Sequence, residues 1–362
     1  MKVGIIGCGQ LARMLALAGL PWGLRFSFLA LPGEDASPVE GLGTLVTMSE
    51  GDSADALYLA MGKPDVLTPE REQLPLSLLR ALHRLEPMHP SPDAVAICQH
   101  RKREKAFLNG LGLATAPWQS VDAKMDWQQL GNQLGWPLFI KSCEEGYDGK
   151  NQWRLKLGDT ESPQLQSGQE YLAEGGVAFE RELSLIAVRS SFGRMAFYPL
   201  TENHHHQGIL RCSLAPAANL PRGMQQQAQQ MAAKVMEAMG YVGVLTLELF
   251  QLEGKLVINE LAPRVHNSGH WTQSGSATCQ FENHLRAITD RPLASTQAHS
   301  HSAMVNLLGV QPPRPELCPD AKVHWYNKAL RAGRKQGHLN LSGNDSSAVH
   351  GQAQKLVETL YS

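Results

Sequence analysis

The spacing of apolar and polar residues predicts alternating strands and helices over the first part of the chain. Short apolar runs bounded by glycine or proline are typical of buried strands, and apolar residues three or four positions apart are typical of helices. The predicted elements are strand 2–6, helix 10–18, strands 26–31 and 66–68, and helix 74–85. This alternation predicts an α/β domain, which we place at residues 1–98.

Strands prevail in the remainder of the chain. The predicted elements are helix 101–111, strands 137–142, 170–177 and 180–188, helix 224–239, and a hairpin formed by 323–328 and 331–341. The helix at 224–239 carries an apolar stripe that we expect to pack in the core: Met224, Ala228, Met231, Ala232, Val235 and Met239. We place two further domains at residues 99–179 and 180–362, so the expected class is α/β and α+β.

A strand–turn–strand pattern late in the chain places two glutamates on adjacent strands. Residues 242–250 alternate, which puts Glu248 on one face of its strand. If Gly254 is the centre of the loop, Glu248 faces Glu260, whereas a shift of one residue would pair Glu248 with Asn259. Facing carboxylates destabilise a sheet. The first pairing therefore predicts a cation between them, and oxygen ligands beside phosphates favour Mg²⁺ over zinc.

The second of these strands runs into a loop dense in polar groups. Arg264, His266, Asn267 and His270 follow Glu260 closely. Loops on rigid scaffolds often carry binding and catalytic residues, which favours a functional site. The alternative is a strand end followed by a polar turn.

The composition is that of a packed globular protein without a dominant charge. Lys and Arg number 33 against 34 acidic residues, which disfavours nucleic acid or an anionic membrane as a partner. The six cysteines are widely spaced with no Cys-x-x-Cys pair, which argues against a zinc site or a disulfide framework. The chain opens on a strand rather than a signal peptide, and it lacks the roughly 20 consecutive apolar residues of a membrane helix. We expect a cytoplasmic protein.

The turn after the first strand, residues 7–12, reads Gly-Cys-Gly-Gln-Leu-Ala. Glycines at this spacing let the backbone approach an anion at a helix N-terminus, and the pattern is close to a dinucleotide fingerprint. Acids for a cofactor ribose are available at Glu34 and Asp35. Three interpretations stay open: a phosphate or substrate loop, a structural turn, or NAD binding. Gln10 is the polar side chain best placed to contact a ligand there.

Two segments in the middle of the chain suit a nucleotide. Lys141 lies on a strand before a glycine-bearing loop at 144–153, and a lysine with loop N–H groups can bind phosphates. A Walker A sequence is missing, and a hairpin turn with a surface lysine is the alternative. Residues 174–177 form a hinge with Glu182 close behind, a combination that can pair with adenine and ribose.

Basic and histidine-rich segments give weaker signals. The helix that starts at Arg101 is basic, which suits a solvated face and a ligand role equally. Consecutive histidines at 204–206 point in different directions, which favours one functional histidine over a shared metal ion. Lys328, Arg334 and Lys335 in the last hairpin suggest either a charged edge strand or a phosphate subsite.

In chain order, these features resemble the ATP-grasp superfamily and, more closely, the 5-(carboxyamino)imidazole ribonucleotide synthase family. The motifs that carry the resemblance are residues 7–14, 146–149 (Gly-Tyr-Asp-Gly), 197–203, 258–272 and 333–340. The run 259–270, Asn-Glu-Leu-Ala-Pro-Arg-Val-His-Asn-Ser-Gly-His, is the most specific of them. The resemblance implies a three-domain ATP-grasp fold whose N-terminal domain is a Rossmann-like pre-ATP-grasp domain.

The resemblance also implies a reaction and its participants. The exocyclic amine of 5-aminoimidazole ribonucleotide would be carboxylated at the expense of ATP and bicarbonate, by way of carboxyphosphate, with release of ADP and phosphate. Mg²⁺, or Mn²⁺ in its place, would be the metal cofactor. A homodimer is expected, with small molecules as the substrates.

The resemblance assigns roles to residues of this chain. The implied catalytic residues are Tyr147, Asp148, Arg264 and His266. The implied ATP-binding residues are Arg101, Lys141, Gly146, Tyr147, Asp148, Gly149, Lys150, Asn151, Gln152, Glu174, Gly175, Gly176, Val177, Glu182, His205, Asn259 and Glu260. The implied substrate-binding residues are Gln10, Asn267, Lys328, Arg334 and Lys335, and the implied metal ligands are Glu248 and Glu260.

The glycine loop departs from the family pattern at two positions. Glu145 and Asn151 stand where glycines are common, and Glu145 adds negative charge near the expected triphosphate. Three rival functions stay open: another ATP-grasp ligase, an NAD-dependent dehydrogenase built on the first domain, or a nucleotide-binding subunit without catalysis, which Glu145 makes conceivable.

Overall fold

A computed structural model describes residues 1–144, 152–159, 163–311 and 319–361 of the chain. Its first part is a parallel sheet with helices, as the alternating pattern predicts. The strands are β1 (Lys2–Ile6), β2 (Arg25–Ala30), β3 (Thr44–Thr47) and β4 (Val66–Pro69), in the spatial order β3-β2-β1-β4. The helices are α1 (Gln10–Gly19), α2 (Ala54–Ala60), α3 (Leu76–His83) and α4 (Pro92–Cys98). All pairings in this sheet are parallel.

The middle of the chain forms a small antiparallel sheet. Its strands are β5 (Trp118–Val121), β6 (Leu138–Ser142), β7 (Gln152–Leu155) and β8 (Tyr171–Gly175), in the order β5-β8-β6-β7. Two helices accompany it, α5 (Arg101–Gly110) and α6 (Trp127–Leu134). The segment after α5 reaches the next sheet, because the Ile258 N–H donates to the Ala114 carbonyl at 2.9 Å.

The rest of the described chain builds one large sheet. Its strands are β9 (Arg181–Arg189), β10 (Met195–Phe197), β11 (Thr201–His206), β12 (Ile209–Ala215), β13 (Gly243–Leu252), β14 (Lys255–Ala262), β15 (His301–Leu308), β16 (Lys322–Trp325) and β17 (Lys335–Gly343). They lie in the order β14-β13-β9-β11-β12-β15-β17-β16, with β10 beside β9. Four helices pack around it: α7 (Met224–Ala238), α8 (Thr272–Gly275), α9 (Gln280–Ile288) and α10 (Ser346–Tyr361).

The apolar stripe of α7 packs in a core with β9, β13 and β14, as predicted. The stripe residues through Val235 are buried, and Met236, which the stripe did not include, is buried as well. Met239 is partly buried at the C-cap and packs against the same core. The predicted C-terminal hairpin is also confirmed, because β16 and β17 pair antiparallel.

The first sheet and the large sheet share a core. Helix α1 packs on α9, where a Cβ on Gly19 would come within 2.9 Å of the Leu285 side chain. Buried Thr68 Oγ1 at the end of β4 lies 3.0 Å from His284 Nε2 on α9. The N-terminal sheet is thereby fixed against the large sheet. The domain limits at residues 98 and 179 remain predictions.

Helix α10 lies in the segment after Asn344, which carries no chemical motif. Its buried residues Val349, Ala353 and Leu356 recur at helical spacing and cover β15 and β17. Among the helices of the described ranges, none is both long and apolar enough to cross a membrane.

Candidate active site

Glu248 and Glu260 face each other across β13 and β14, which confirms the predicted pairing. The turn alone would have given the other register, because Leu249 pairs with Ile258 and a regular ladder would continue to Glu248 and Asn259. A β-bulge inserts Asn259 as an extra residue and brings Glu260 opposite Glu248. Bulges re-aim side chains beside active sites, and here the bulge creates the carboxylate pair.

The two carboxylates have different electrostatic surroundings. Burial opposes ionisation of Glu248, but the charges of His266, His205 and Arg264 outweigh it and lower the pKa of Glu248. The pKa of Glu260 is raised, because surrounding protein limits its hydration and Glu248 carries like charge. Glu260 is nevertheless exposed to solvent, so a cation can reach it. Two facing carboxylates, of which Glu260 is disfavoured in its charged form by its neighbour, offer the oxygen ligands that a Mg²⁺ ion prefers.

A chain of hydrogen bonds fixes His266 against Glu248. His266 Nε2 lies 2.9 Å from Glu248 Oε1, and its Nδ1 lies 2.8 Å from Ser268 Oγ. Ser184 donates to Ser268 at 2.7 Å, and Asn203 donates to Ser184 at 3.0 Å. Sequence reasoning assigned a role to neither serine: Ser268 lies within the 258–272 motif, and Ser184 lies on β9 outside the motifs. His266 is thus oriented towards the carboxylate pair.

Arg264 is bound by a glutamate from the first part of the chain. Its Nε and Nη2 lie 2.5 and 3.0 Å from the two carboxylate oxygens of Glu72, while Nη1 makes a long contact of 3.4 Å to the Val265 carbonyl. Burial alone would lower the pKa of Arg264, but Glu72 and the neighbouring carboxylates raise it. Arg264 is therefore a fixed cation beside Glu248 and Glu260.

A buried carboxylate, Glu174, links Lys105 and Lys141 into a group, the lysine cluster, among the residues predicted to bind ATP. Glu174 lies 2.8 Å from Lys105 Nζ and 2.7 Å from Lys141 Nζ. Burial opposes its ionisation, but the two lysines lower the pKa of Glu174 to about 2. Lys105 Nζ also lies 3.5 Å from the Asn259 carbonyl in the bulge. Lys105 is one of the basic residues at the start of α5 for which a ligand role was left open, and it lies one helical turn after Arg101.

Fewer backbone N–H groups of the hinge can bind a ligand than expected, because two of them already donate within the protein. The N–H groups of Gly175 and Gly176 donate to the carbonyls of Pro117 and Pro137 at 2.9 and 2.8 Å. A Cβ on Gly175 would lie 2.0 Å from the Leu134 carbonyl oxygen, so this glycine is needed for close packing. Val177 is left as the hinge residue whose N–H can pair with a base.

The other predicted ATP contacts lie around this cluster. Glu182 Oε2 is 3.0 Å from His205 Nδ1, and His204 points elsewhere, 3.4 Å from Glu202, as expected for consecutive strand residues. Burial lowers the pKa of His205, but Glu182 and Glu248 raise it overall. The His204–His206 run therefore supplies one histidine to the site.

Arg101 and Gln152 lie beside Lys141. Arg101 Nη1 donates to the Ser142 carbonyl at 2.8 Å, and Gln152 pairs with Lys141 across β6 and β7. The remaining predicted loop residues, Gly146, Tyr147, Asp148, Gly149, Lys150 and Asn151, lie outside the described residues, as does Glu145.

The predicted ribonucleotide residues come together from opposite ends of the chain. Lys328 Nζ donates to Gln10 Oε1 at the N-terminus of α1. Arg334 Nη2 lies 2.9 Å from Asp35 Oδ2, and Lys335 follows it at the start of β17. Burial lowers the pKa of Lys328 to about 8. The basic hairpin thus packs against the glycine turn of the first domain.

Asn267, the remaining residue predicted to bind the substrate, is paired with Asn306 on β15. Its amide exchanges two hydrogen bonds with Asn306, at 3.0 and 2.7 Å. A ligand that uses the Asn267 side chain must compete with this pair.

A carboxylate fills the glycine turn after β1. The Gly9 N–H donates to Glu70 Oε2 at 2.6 Å, and a Cβ on Gly7 would come within 2.6 Å of the same oxygen. Burial raises the pKa of Glu70. Glu34, one of the acids considered for a cofactor ribose, pairs instead with Arg71. The turn therefore binds an internal carboxyl group where a dinucleotide would place its phosphates, which disfavours the NAD interpretation.

Three family models match successive parts of the chain. A ribonucleotide synthetase preATP-grasp domain matches residues 1–99, an ATP-grasp domain matches 106–281, and a phosphoribosylaminoimidazole carboxylase C-terminal domain matches 302–352. With the carboxylate pair and the lysine cluster, these matches define an ATP-grasp ligase.

Close relatives narrow the class. The chain is 40% identical to an N5-carboxyaminoimidazole ribonucleotide synthase of Vibrio cholerae, covering 99% of this chain and 96% of that protein. The crystal structure of the synthetase from Thermus thermophilus is 42% identical, with a TM-score of 0.91 and 99% of both chains covered. An Aspergillus clavatus synthase, solved with ADP and 5-aminoimidazole ribonucleotide, is 28% identical with a TM-score of 0.86, covering 99% and 98% of the two chains. The chain belongs to the N5-carboxyaminoimidazole ribonucleotide synthase family.

The comparisons confirm the predicted family, the ATP-grasp fold class with its pre-ATP-grasp domain, and the assignment as an ATP-dependent ligase of purine biosynthesis. The roles of individual residues remain predictions.

Proposed function

We propose that the carboxylate pair and the lysine cluster together carry out the family reaction, ATP-dependent carboxylation of 5-aminoimidazole ribonucleotide. The observation that carries this proposal is the contact of Lys105 with the Asn259 carbonyl, 3.5 Å away. This contact places the lysine cluster, whose cations can bind phosphates, next to Glu248 and Glu260, whose carboxylates can bind a metal ion. Phosphoryl transfer depends on such positioning and charge neutralisation more than on covalent help.

The lysine cluster would bind the ATP phosphates. Lys141 and Arg101 supply positive charge at the end of β6, and Glu174 lies 2.7 Å from Lys141 Nζ and 2.8 Å from Lys105 Nζ. Val177 and Glu182 would contact adenine and ribose, and His205 would approach the phosphates. Glu248 and Glu260 would hold Mg²⁺, or Mn²⁺ in its place, which neutralises phosphate charge when bound.

The reaction has two stages. A bicarbonate oxygen attacks the γ-phosphorus of ATP, the bond to ADP breaks, and carboxyphosphate forms. Carboxyphosphate releases carbon dioxide and phosphate, and the exocyclic amine bonds to the carbon and loses a proton. Arg264, held through Nε and Nη2, would stabilise the carboxylate-like species with Nη1. His266 would orient the amine or accept its proton, and Tyr147 and Asp148 are assigned to the same step by resemblance.

The ribonucleotide would lie near the basic hairpin. Lys328, Arg334 and Lys335 would bind its phosphate, with Gln10 beside them. Asn267 would contact the imidazole ring of the ribonucleotide, and its hydrogen bonds to Asn306 would be replaced by bonds to the ligand.

The proposal is tested by ADP release from Mg-ATP and bicarbonate, with and without 5-aminoimidazole ribonucleotide. We expect strong stimulation by the ribonucleotide and an acid-labile carbamate product. Turnover indifferent to the ribonucleotide would require another acceptor. ATP binding without turnover would indicate a non-catalytic subunit, and Glu145→Gly would then be the first variant to make.

The pH dependence should report Lys328. Its pKa of about 8 means that the ammonium is charged at neutral pH and loses its charge as pH rises through that value. We therefore expect kcat/KM for the ribonucleotide to fall above about pH 8. Lys328→Arg keeps the charge and should extend the plateau to higher pH. An unchanged profile in this variant would contradict the phosphate role.

A homodimer in the cytoplasm is the remaining part of the proposal. It rests on family resemblance, and sedimentation of the purified chain would test the dimer.

A further inference from the structure

We propose that His100, Cys143 and Glu170 form a binding site for a zinc-type transition-metal ion, separate from the Glu248–Glu260 pair. One potential ligand atom from each residue lies within 4.8 Å of the other two. His100 caps α5, Cys143 follows β6, and Glu170 precedes β8. Three different elements therefore present three different ligand types to one point.

The backbone already holds these segments together. The Cys143 N–H donates to the Glu170 carbonyl at 2.8 Å, and the Arg101 N–H donates to the Cys143 carbonyl at 2.9 Å. His100 Nε2 lies 3.6 Å from Glu170 Oε2. Ligands about 2.0–2.3 Å from a tetrahedral zinc ion lie roughly 3.5 Å apart. Side-chain rotation is therefore enough to close the site.

The donor set selects the kind of metal. A thiolate and an imidazole suit zinc and similar ions, whereas Mg²⁺ prefers oxygen ligands. His100 and Cys143 are buried, and Glu170 is 64% exposed, so the open side leaves room for a water as fourth ligand. On binding, the Cys143 thiol gives its proton to solvent and a sulfur–metal bond forms.

Two existing contacts would change. Lys102 Nζ lies 3.6 Å from Glu170 Oε2, but its side chain is 45% exposed and can turn into solvent. The Arg103 N–H donates to His100 Nδ1 at a long 3.4 Å. Ligation through Nε2 moves the imidazole proton to Nδ1 and gives up this weak bond.

The expectation against a zinc site rested on cysteine spacing alone. A site with one cysteine leaves no such spacing signal, because the fold brings its ligands together from distant segments. The proposed metal ligands are close in sequence to proposed phosphate contacts: His100 directly precedes Arg101, and Cys143 lies two residues after Lys141. A bound ion would clamp the two segments that carry these proposed phosphate contacts.

Cobalt provides the test. The full-length, metal-free protein is titrated with Co²⁺ in excess Mg²⁺, which occupies oxygen sites. We expect one equivalent to bind with a thiolate-to-cobalt charge-transfer band in the near ultraviolet, and zinc to displace it. Cys143→Ser should abolish the band. Cys98→Ser, which removes the nearest other cysteine along the chain, should retain it.

Further variants keep the test decisive. His100→Gln and Glu170→Gln should each weaken Co²⁺ binding by about 10-fold or more while the band persists at saturation. Absence of the band in the parent protein would overturn the proposal, and so would a band that survives Cys143→Ser. Should Cys143→Ser fail to fold, unchanged affinity in His100→Gln would overturn it equally.

Discussion

Replacing Glu248 with glutamine should reduce kcat by at least about 100-fold with little change in the fold. Mutation of a residue that only supports a metal ligand lowers activity about 10–100-fold, and we expect the loss of a ligand itself to cost at least as much. Glutamine keeps the size of the side chain and removes its charge. The facing pair with Glu260 then loses half of its negative charge, and His266 loses its ion pair at 2.9 Å. ADP release measured against Mg²⁺ concentration would show the loss, with a raised Mg²⁺ requirement in any residual activity.

A matched variant separates the site from general effects of removing a carboxylate. Glu282 on α9 is also partly buried and ion-paired, lying 2.8 Å from Arg286. Glu282→Gln should retain near-normal turnover and Mg²⁺ dependence. Circular dichroism and thermal unfolding would verify that both variants fold. Normal activity in folded Glu248→Gln would eliminate the metal assignment.

The sequence predicts the local geometry of the carboxylate pair only in part. Alternation and the apolar run after Gly254 predict the two strands, and the facing pair Glu248–Glu260 is confirmed. The reason differs from the one expected. A regular ladder from the turn would have selected Asn259, and the bulge that restores Glu260 has no reliable signature in a single sequence.

Contacts between distant segments were harder to predict from the sequence. The periodicity identified the strand before Glu70 and Glu72 correctly. It did not predict that Glu72 binds Arg264 or that Glu70 fills the glycine turn. Periodicity fixes which face of an element is buried, but it does not say which element lies against that face. Family resemblance placed Gln10 and Lys328 in one subsite, and the structure brings them together.

Stability should depend strongly on Glu174. Glu174→Gln removes the charged carboxylate that both Lys141 and Lys105 contact, and Lys105 is only 2% exposed. We expect the free energy of unfolding to fall by roughly 3 kcal/mol, in the range found when one partner of a buried ion pair is removed. A pKa lowered from 4.5 to about 2 corresponds to a similar roughly 3 kcal/mol at neutral pH. Denaturant unfolding would measure the change, and KM for ATP should rise.

The pH dependence has a definite sign. A carboxylate whose pKa is depressed in the folded state stabilises it above the unfolded-state pKa and loses that contribution as pH falls towards the folded-state value. The stability difference between the parent protein and Glu174→Gln should therefore be constant from neutral pH to about 4.5 and shrink below it.

Two comparisons distinguish this explanation from a general packing defect. Glu202→Gln removes a carboxylate 2.8 Å from Arg181 in a more exposed pair, and it should cost less than about 1 kcal/mol. Adding Lys105→Met to Glu174→Gln removes the uncompensated buried ammonium, so the double variant should be more stable than Glu174→Gln alone. If the second substitution lowers stability further by its full separate cost, the two residues do not interact and the loss must come from packing. Recovery in the double variant would instead identify Glu174 as the charge that makes two lysines tolerable beside the bulge.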